Sequence, residues 1–274
     1  MAADTIVRHM GLSRRRIAVG AGAVAVGAVA LTVAAFGLAA CAPSAAPPRA
    51  HHDDGAPTTT VPTAPATSAA TAPPGDSLVA TTHGAIPGYP APGQPSNATV
   101  PGSWFGYPSI LPVIASQPGW LEVRLAQRPN GSTTWVQQSD VTLGDTPYAI
   151  VVNLATMRLT VFDGGTQILD FPAGIGAPDD PTPPGHYFMT MQYPPPSPGY
   201  GPFVLVTSDH SDAIADWENS GDAVIGIHGP IDSYDDSLIG TTGAAISHGC
   251  IRLHDADLAQ LSVIPPGTPI DIVN

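Results

Sequence analysis

Lysine is absent from this chain: all nine basic residues are arginine, against 22 acidic ones. The formal charge is −13 at neutral pH. A surface so poor in positive charge has no basic patch to neutralise phosphates, which excludes nucleic acid as a partner. Cysteine is scarce too, with Cys41 and Cys250 alone, so each thiol has to be accounted for singly. Large apolar residues are almost missing between Ala42 and Pro101, a stretch of Ala, Pro, Thr, Ser and Gly. Such a composition buries too little surface to offset the entropy of ordering, and residues 41–101 read as a disordered, extended linker. His51-His52-Asp53-Asp54 within it reads as solvated rather than metal-binding. The sequons at Asn97 and Asn130 are given no weight.

The N-terminus is legible in another way. Arg14-Arg15-Arg16 precede an uncharged run, Ile17 to Ala40, that ends in Leu38-Ala39-Ala40-Cys41. Residues 1–40 read as an export signal, and the final four positions resemble a bacterial lipobox whose cysteine becomes lipidated. An uncleaved single transmembrane anchor is the alternative, since about 20 apolar residues suffice to span. Ser13-Arg14-Arg15 leaves Sec and twin-arginine export both open. Either route places the rest on the outer face of the cytoplasmic membrane, in the cell-wall space. Beyond residue 40 remain 21 acidic residues against five arginines, a net charge of −16. With Cys41 lipidated, Cys250 is a lone free thiol in an oxidising compartment, without an intrachain partner.

Folded structure is expected from residue 102. Ile110–Ile114, Trp120–Leu125 and Thr134–Val136 are strand-like runs, separated by turn signals at Pro118-Gly119 and Arg128-Pro129-Asn130-Gly131. Trp120, Val123 and Trp135 are expected in the core. Residues 102–145 thus form a small β segment, loosely similar to SH3-like modules. From 146 to 274 a second β-rich domain follows. A hairpin is expected over Tyr148–Phe171, turning at Asp163-Gly164-Gly165. Further strands are read at His186–Met191, Phe203–Thr207, Ala223–His228 and Thr268–Val273, with a stiff loop from Tyr193 to Gly201. One helix, Asp255–Leu261, carries Asp255 as its N-cap. The fold class is therefore mainly β: a sandwich of mixed sheets with one short C-terminal helix, preceded by the small β segment.

Ser247-His248-Gly249-Cys250-Ile251-Arg252-Leu253 carries the chemistry. If this stretch is extended, His248, Cys250 and Arg252 point to one side, a setting that favours thiolate. Gly249 lets the backbone approach a substrate. Together with the opening hairpin, Pro181-Thr182-Pro183-Pro184-Gly185 and Ile227-His228-Gly229, this motif resembles the catalytic domain of L,D-transpeptidases, which cross-link peptidoglycan. Eighteen residues separate His228 from Ser247, slightly more than the family's interval, and an insertion at Ser233–Ser237 absorbs the difference.

The resemblance implies a cysteine acyltransferase that forms 3→3 cross-links between stem peptides, needs no metal or cofactor, and is acylated by carbapenems. Cys250 is the nucleophile and His228 its base, oriented by the carbonyl of Gly229, with His248 close to the sulfur. Backbone N–H groups of Gly249 and Cys250 are the expected oxyanion donors. Arg252 and Ser247 are expected at the substrate, with Tyr193 and Tyr200 on a lid; Tyr187 is read as core. Arg252 has two open roles, binding a substrate carboxylate or buttressing the loop. Water as acceptor gives an L,D-carboxypeptidase, and a protein amine gives protein attachment to the wall. A zinc hydrolase using His228, His248 and Cys250 is disfavoured: there is no paired-histidine helix motif and no second cysteine beside them. An inactive wall-binding lipoprotein would lack one of these three residues, and none is missing. The partners implied are peptidoglycan stem peptides and, through Cys41, the membrane; a monomer is expected.

Overall fold

The computed structural model describes residues 75–216 and 221–274; the export signal, Cys41 and most of the linker lie outside them. Order begins earlier than the composition implies. Strand β1 (Ser77–Thr82), β2 (Ile86–Gly88) and β3 (Ala98–Val100) all fall in the stretch read as linker. Alone, Leu78-Val79-Ala80 is too short to bury anything. Here β1 is flanked on both sides, by β6 (Ile110–Gln117) and β9 (Val141–Thr146), with Ala80 opposite both Leu111 and Leu143. Partners distant in sequence supply the burial that local composition could not.

A small hairpin of β4 (Ser103–Trp104) and β5 (Tyr107–Pro108) precedes β6, and β7 (Trp120–Arg124) and β8 (Thr133–Gln137) follow it. The five-stranded sheet runs β8-β7-β6-β1-β9. Leu121, Val123 and Val136 are buried in it, whereas Trp120 and Trp135 are only half-buried. The expectation for the two tryptophans fails on parity: Trp120 and Val123 are three apart on one strand and must face opposite sides. Trp120 instead packs edge-on against Tyr89, with centroids 4.9 Å apart.

The C-terminal part builds a mixed eight-stranded sheet. Its strands are β10 (Tyr148–Asn153), β11 (Arg158–Asp163), β12 (Thr166–Pro172), β14 (Gly185–Tyr193), β15 (Val204–His210), β16 (Val224–His228), β18 (Ile251–Arg252) and β19 (Pro269–Val273). The short strands β13 (Ile175–Gly176) and β17 (Ala245–Ser247) pair separately, in parallel. The order is β12-β11-β10-β19-β14-β15-β16-β18, with β10/β19 and β16/β18 parallel. The β10–β12 meander follows the expected turn. Fully apolar strands such as Val-Ile-Gly-Ile in β16 are buried along their whole length, as a strand covered on both faces requires.

Two α-helices are present among the described residues. Helix α1 (Ser233–Leu238) occupies the expected insertion and was not anticipated as a helix. Asp232 caps it, its carboxylate accepting from the N–H groups of Tyr234 and Asp235, both at 2.9 Å. Helix α2 (Asp255–Gln260) buries Leu258 in the core. Asp255 is its first helical residue rather than its cap; His254 takes the cap position and makes no side-chain cap bond there.

Candidate active site

Parallel pairing of β16 with β18 brings His228 opposite Arg252 and Ile227 opposite Ile251. The thiol of Cys250, one residue before β18, therefore lies against β16, where the Gly226 N–H donates to Sγ at 3.4 Å. His228 ends β16 and is 2 % exposed. Its Nδ1 lies 2.7 Å from the Gly229 carbonyl. A carbonyl only accepts, so Nδ1 carries the proton and Nε2 keeps the lone pair. Gly229 has no room for a side chain: a Cβ there would sit 2.5 Å from Asp255 Oδ1 and 2.7 Å from the Gly201 nitrogen. The Tyr200 ring lies over the imidazole, centroids 4.6 Å apart and tilted by 46°. The Tyr200 carbonyl accepts from the Gly229 N–H at 2.9 Å.

The nucleophile segment is bent, not extended. Strand β17 stops at Ser247 and β18 starts at Ile251, with Gly249 between them at φ +108°. The Ser247 hydroxyl closes the turn, donating to the Cys250 carbonyl at 2.5 Å and accepting from the Gly249 N–H at 3.1 Å. The single-face reading of His248, Cys250 and Arg252 is thereby overturned. His248 leaves the turn with 61 % of its side chain exposed, and its Nε2 is 3.7 Å from Asp180 Oδ2. Ser247 is buried and holds the turn, so it is not available to substrate. The Gly249 N–H is engaged by Ser247, which removes it from the expected oxyanion donors.

Thr182 was not singled out as a site residue. Its buried hydroxyl donates to the Gly249 carbonyl at 2.7 Å and accepts from the Gly176 N–H at 2.9 Å. Its presence in Pro-Thr-Pro-Pro-Gly was the available signal, but the bond to Gly249 spans 67 residues and leaves no local pattern.

Arg252 is buried, and Nη1 donates to the Pro230 carbonyl at 3.2 Å and to the carboxylate of Asp235 on α1. Its backbone also pairs with Gly174. The guanidinium thus ties the loop after His228 to the strand after Cys250. His254 Nδ1 adds a second tie, 2.7 Å from Asp236. Ile231, between them, holds φ +78°, a conformation that strains a β-branched residue. Tyr193 is not on a lid: it is buried with Met191, Val204, Val206 and Val224. Tyr187 is buried in the main core.

Charge in the site runs against the sequence reading. Burial pushes the Cys250 thiol up, with the Asp209 charge adding to the rise; the Gly226 N–H and Arg252 pull the other way without prevailing. Burial, then the Arg252 charge, lower His228 to about 3, despite its bond to Gly229. Both shifts favour the uncharged forms, thiol and imidazole. Burial thus outweighs the pull of Arg252, whose guanidinium is also paired with Asp235. Among the described residues no cluster of three or more His, Cys, Asp or Glu side chains is arranged for a metal ion.

Residues 147–272 match the family model of the L,D-transpeptidase catalytic domain. Two curated relatives, each called putative L,D-transpeptidase YkuD, come from Bacillus licheniformis and Bacillus subtilis strain 168. They are 28 % and 27 % identical over 127 residues, which is 46 % of this chain. The match spans 66 % of the length of each relative. Among solved structures, an L,D-transpeptidase from Mycobacterium smegmatis is 18 % identical at a TM-score of 0.37, covering 60 % of this chain and 90 % of its own. One from Mycobacterium tuberculosis H37Rv is 15 % identical at 0.38, covering 61 % and 90 %. The stretch 147–272, which contains Cys250, His228 and the Gly249 turn, is thus the part of this chain that is similar to the L,D-transpeptidase catalytic domain family.

Proposed function

We propose that this chain is a peptidoglycan L,D-transpeptidase that works through a Cys250 thioester and forms 3→3 cross-links. The observation that carries the reading is the pairing across β16 and β18. It sets a lone thiol against β16 two residues before a buried imidazole whose tautomer presents an unprotonated Nε2. A neutral thiol and a neutral base suit general-base activation, in which His228 takes the proton as sulfur attacks. Cys250 Sγ bonds to the carbonyl carbon of the stem peptide. The proton held by His228 passes to the departing nitrogen, and the terminal D-alanine leaves as an amine. An acceptor amine then attacks the thioester, loses its proton to His228, and returns the sulfur as thiol.

The Cys250 N–H is the oxyanion donor in this reading, since that of Gly249 is engaged by Ser247. His248 is exposed beside Asp180 and has no part in the proton transfer of this reading. Arg252 acts by holding the Pro230–Asp235 segment. The uncharged run ending at Cys41 supports export and lipid anchoring on the outer membrane face; it lies outside the described residues.

Mass spectrometry of products from disaccharide-tetrapeptide tests the assignment. Cys250→Ser is expected to abolish 3→3 dimer while retaining the folded state, and undiminished dimer would sink it. The same spectra separate acceptors: shortened tripeptide without dimer identifies water, and a stem linked to protein identifies a protein amine. Carbapenem incubation is expected to add one drug mass to the parent and none to Cys250→Ser; an unmodified parent counts against a reactive thiol.

A further inference from the structure

The turn Arg128-Pro129-Asn130-Gly131 joins β7 to β8 in the N-terminal sheet, yet its side chains bond to the catalytic domain. Asn130 mimics a strand neighbour of β15. Its Oδ1 accepts from the His210 N–H at 2.9 Å, and its Nδ2 donates to the His210 carbonyl at 2.7 Å and to Asp209 Oδ1 at 3.2 Å. Arg128 holds the other side of the same connection. Its Nε donates to Asp222 Oδ1 at 2.7 Å and its Nη2 to the Ile214 carbonyl at 3.0 Å. His210 Nδ1 and Asp222 Oδ2, 2.8 Å apart, link the two sides.

The bonds meet a weak point in the sheet. Leu205 and Val206 of β15 pair with Ile227 and Gly226, but the ladder then slips, and the next pair is His210 with Val224. The irregularity turns Asp209 inward, at 0 % exposure, and Thr207 Oγ1 replaces a ladder bond by donating to the Ile225 carbonyl at 2.7 Å. Strand β16 begins immediately after, and it carries both Gly226, the donor to Cys250 Sγ, and His228. The loop of the N-terminal sheet therefore holds β15 at His210 from its other edge, at the place where pairing with β16 resumes after the slip and the Ser211 N–H donates to the Ala223 carbonyl at 2.9 Å.

We propose that Arg128 and Asn130 are positioning residues of the catalytic site: bridging from the N-terminal sheet, they hold β16 in register beneath Cys250. This rests on Cys250 and His228 being the reacting pair. Loss of the bridge lets β16 shift and lengthens the contact from the Gly226 N–H to sulfur. That contact favours thiolate, so its loss disfavours the charged form.

The test is the pH profile of Cys250 alkylation by iodoacetamide on the folded chain. Cys250 is followed by peptide mass, because Cys41 also carries a thiol in unlipidated protein. Arg128→Ala and Asn130→Ala are each expected to raise the midpoint by about one unit, a roughly tenfold loss of thiolate at neutral pH. Arg128→Lys, which keeps the charge and one donor, should recover part of the shift. Val136→Ala, a core truncation elsewhere in the N-terminal sheet, controls for lost stability and should leave the midpoint unmoved. The proposal is overturned if both clamp variants keep the parent midpoint, or if Val136→Ala moves it equally. Alkylation needs no substrate, and product analysis of stem peptides is a separate measurement, so this inference and the transpeptidase reading can fail independently.

Discussion

At neutral pH the His228 imidazole is uncharged, because burial and the Arg252 guanidinium hold it at about 3 instead of 6.5. Unfolded, the same group takes up a proton as the pH falls through its ordinary range. Between these limits the unfolded chain binds more protons at this site than the folded one. The stability contributed by the neutral buried imidazole is therefore complete above about 6.5 and is lost progressively as pH falls towards 3. Asp209 opposes this: burial raises its carboxyl well above the usual range, so there the folded state holds the proton more tightly. Comparing the parent with His228→Gln isolates the histidine. Urea midpoints at pH 7.5 and 4.5 are expected to show the parent losing more stability on acidification than the variant. Equal losses would refute the depressed histidine. Reactivity should follow, with no fall in kcat/KM through the ordinary histidine range.

Among the elements, the nucleophile turn depends most on partners outside itself. Thr182 is the clearest case, since its hydroxyl serves the Gly249 carbonyl and the Gly176 N–H in a place closed to water. Thr182→Val keeps the shape and strands both groups, at a cost of about 1–3 kcal/mol for each one left unpaired. A lower melting temperature and slower thioester formation are expected, with Thr182→Ser close to the parent. A parent-like Thr182→Val would remove this residue from the account. The strands were readable from their alternation and turn residues, because those features act over a few positions. Helix α1 was not, at six residues and without a buried side chain, although Asp232 offered a capping signal. Nor was the bend at Gly249, since it is closed by the Ser247 hydroxyl and by Thr182 from a distant loop.

In the whole molecule, the two β units share side chains. Phe188, on β14 of the catalytic domain, is 1 % exposed and packs in the core of the N-terminal sheet with residues such as Leu111, Val123 and Leu125. Trp104, Phe105 and Tyr107 of the N-terminal hairpin pack in turn against Met191, Tyr193 and Val204. Phe188→Ala is expected to cost about 3–5 kcal/mol and to leave fluorescence and circular dichroism transitions coincident. A loss below about 1 kcal/mol would show that the two units do not depend on this contact.

The sequence by itself determined the mainly β class, most strands of the C-terminal sheet and the resemblance to the L,D-transpeptidase catalytic domain. Those properties rest on local periodicity, on composition, and on a short motif around Cys250, one of only two cysteines. Tertiary structure decided the rest. It tied Arg252 to Asp235, buried Tyr193, placed His248 beside Asp180 and, through burial, pushed the Cys250 thiol up. Each outcome depends on which distant backbone meets the site, and burial and charge pairing act through space, where spacing along the chain carries no information.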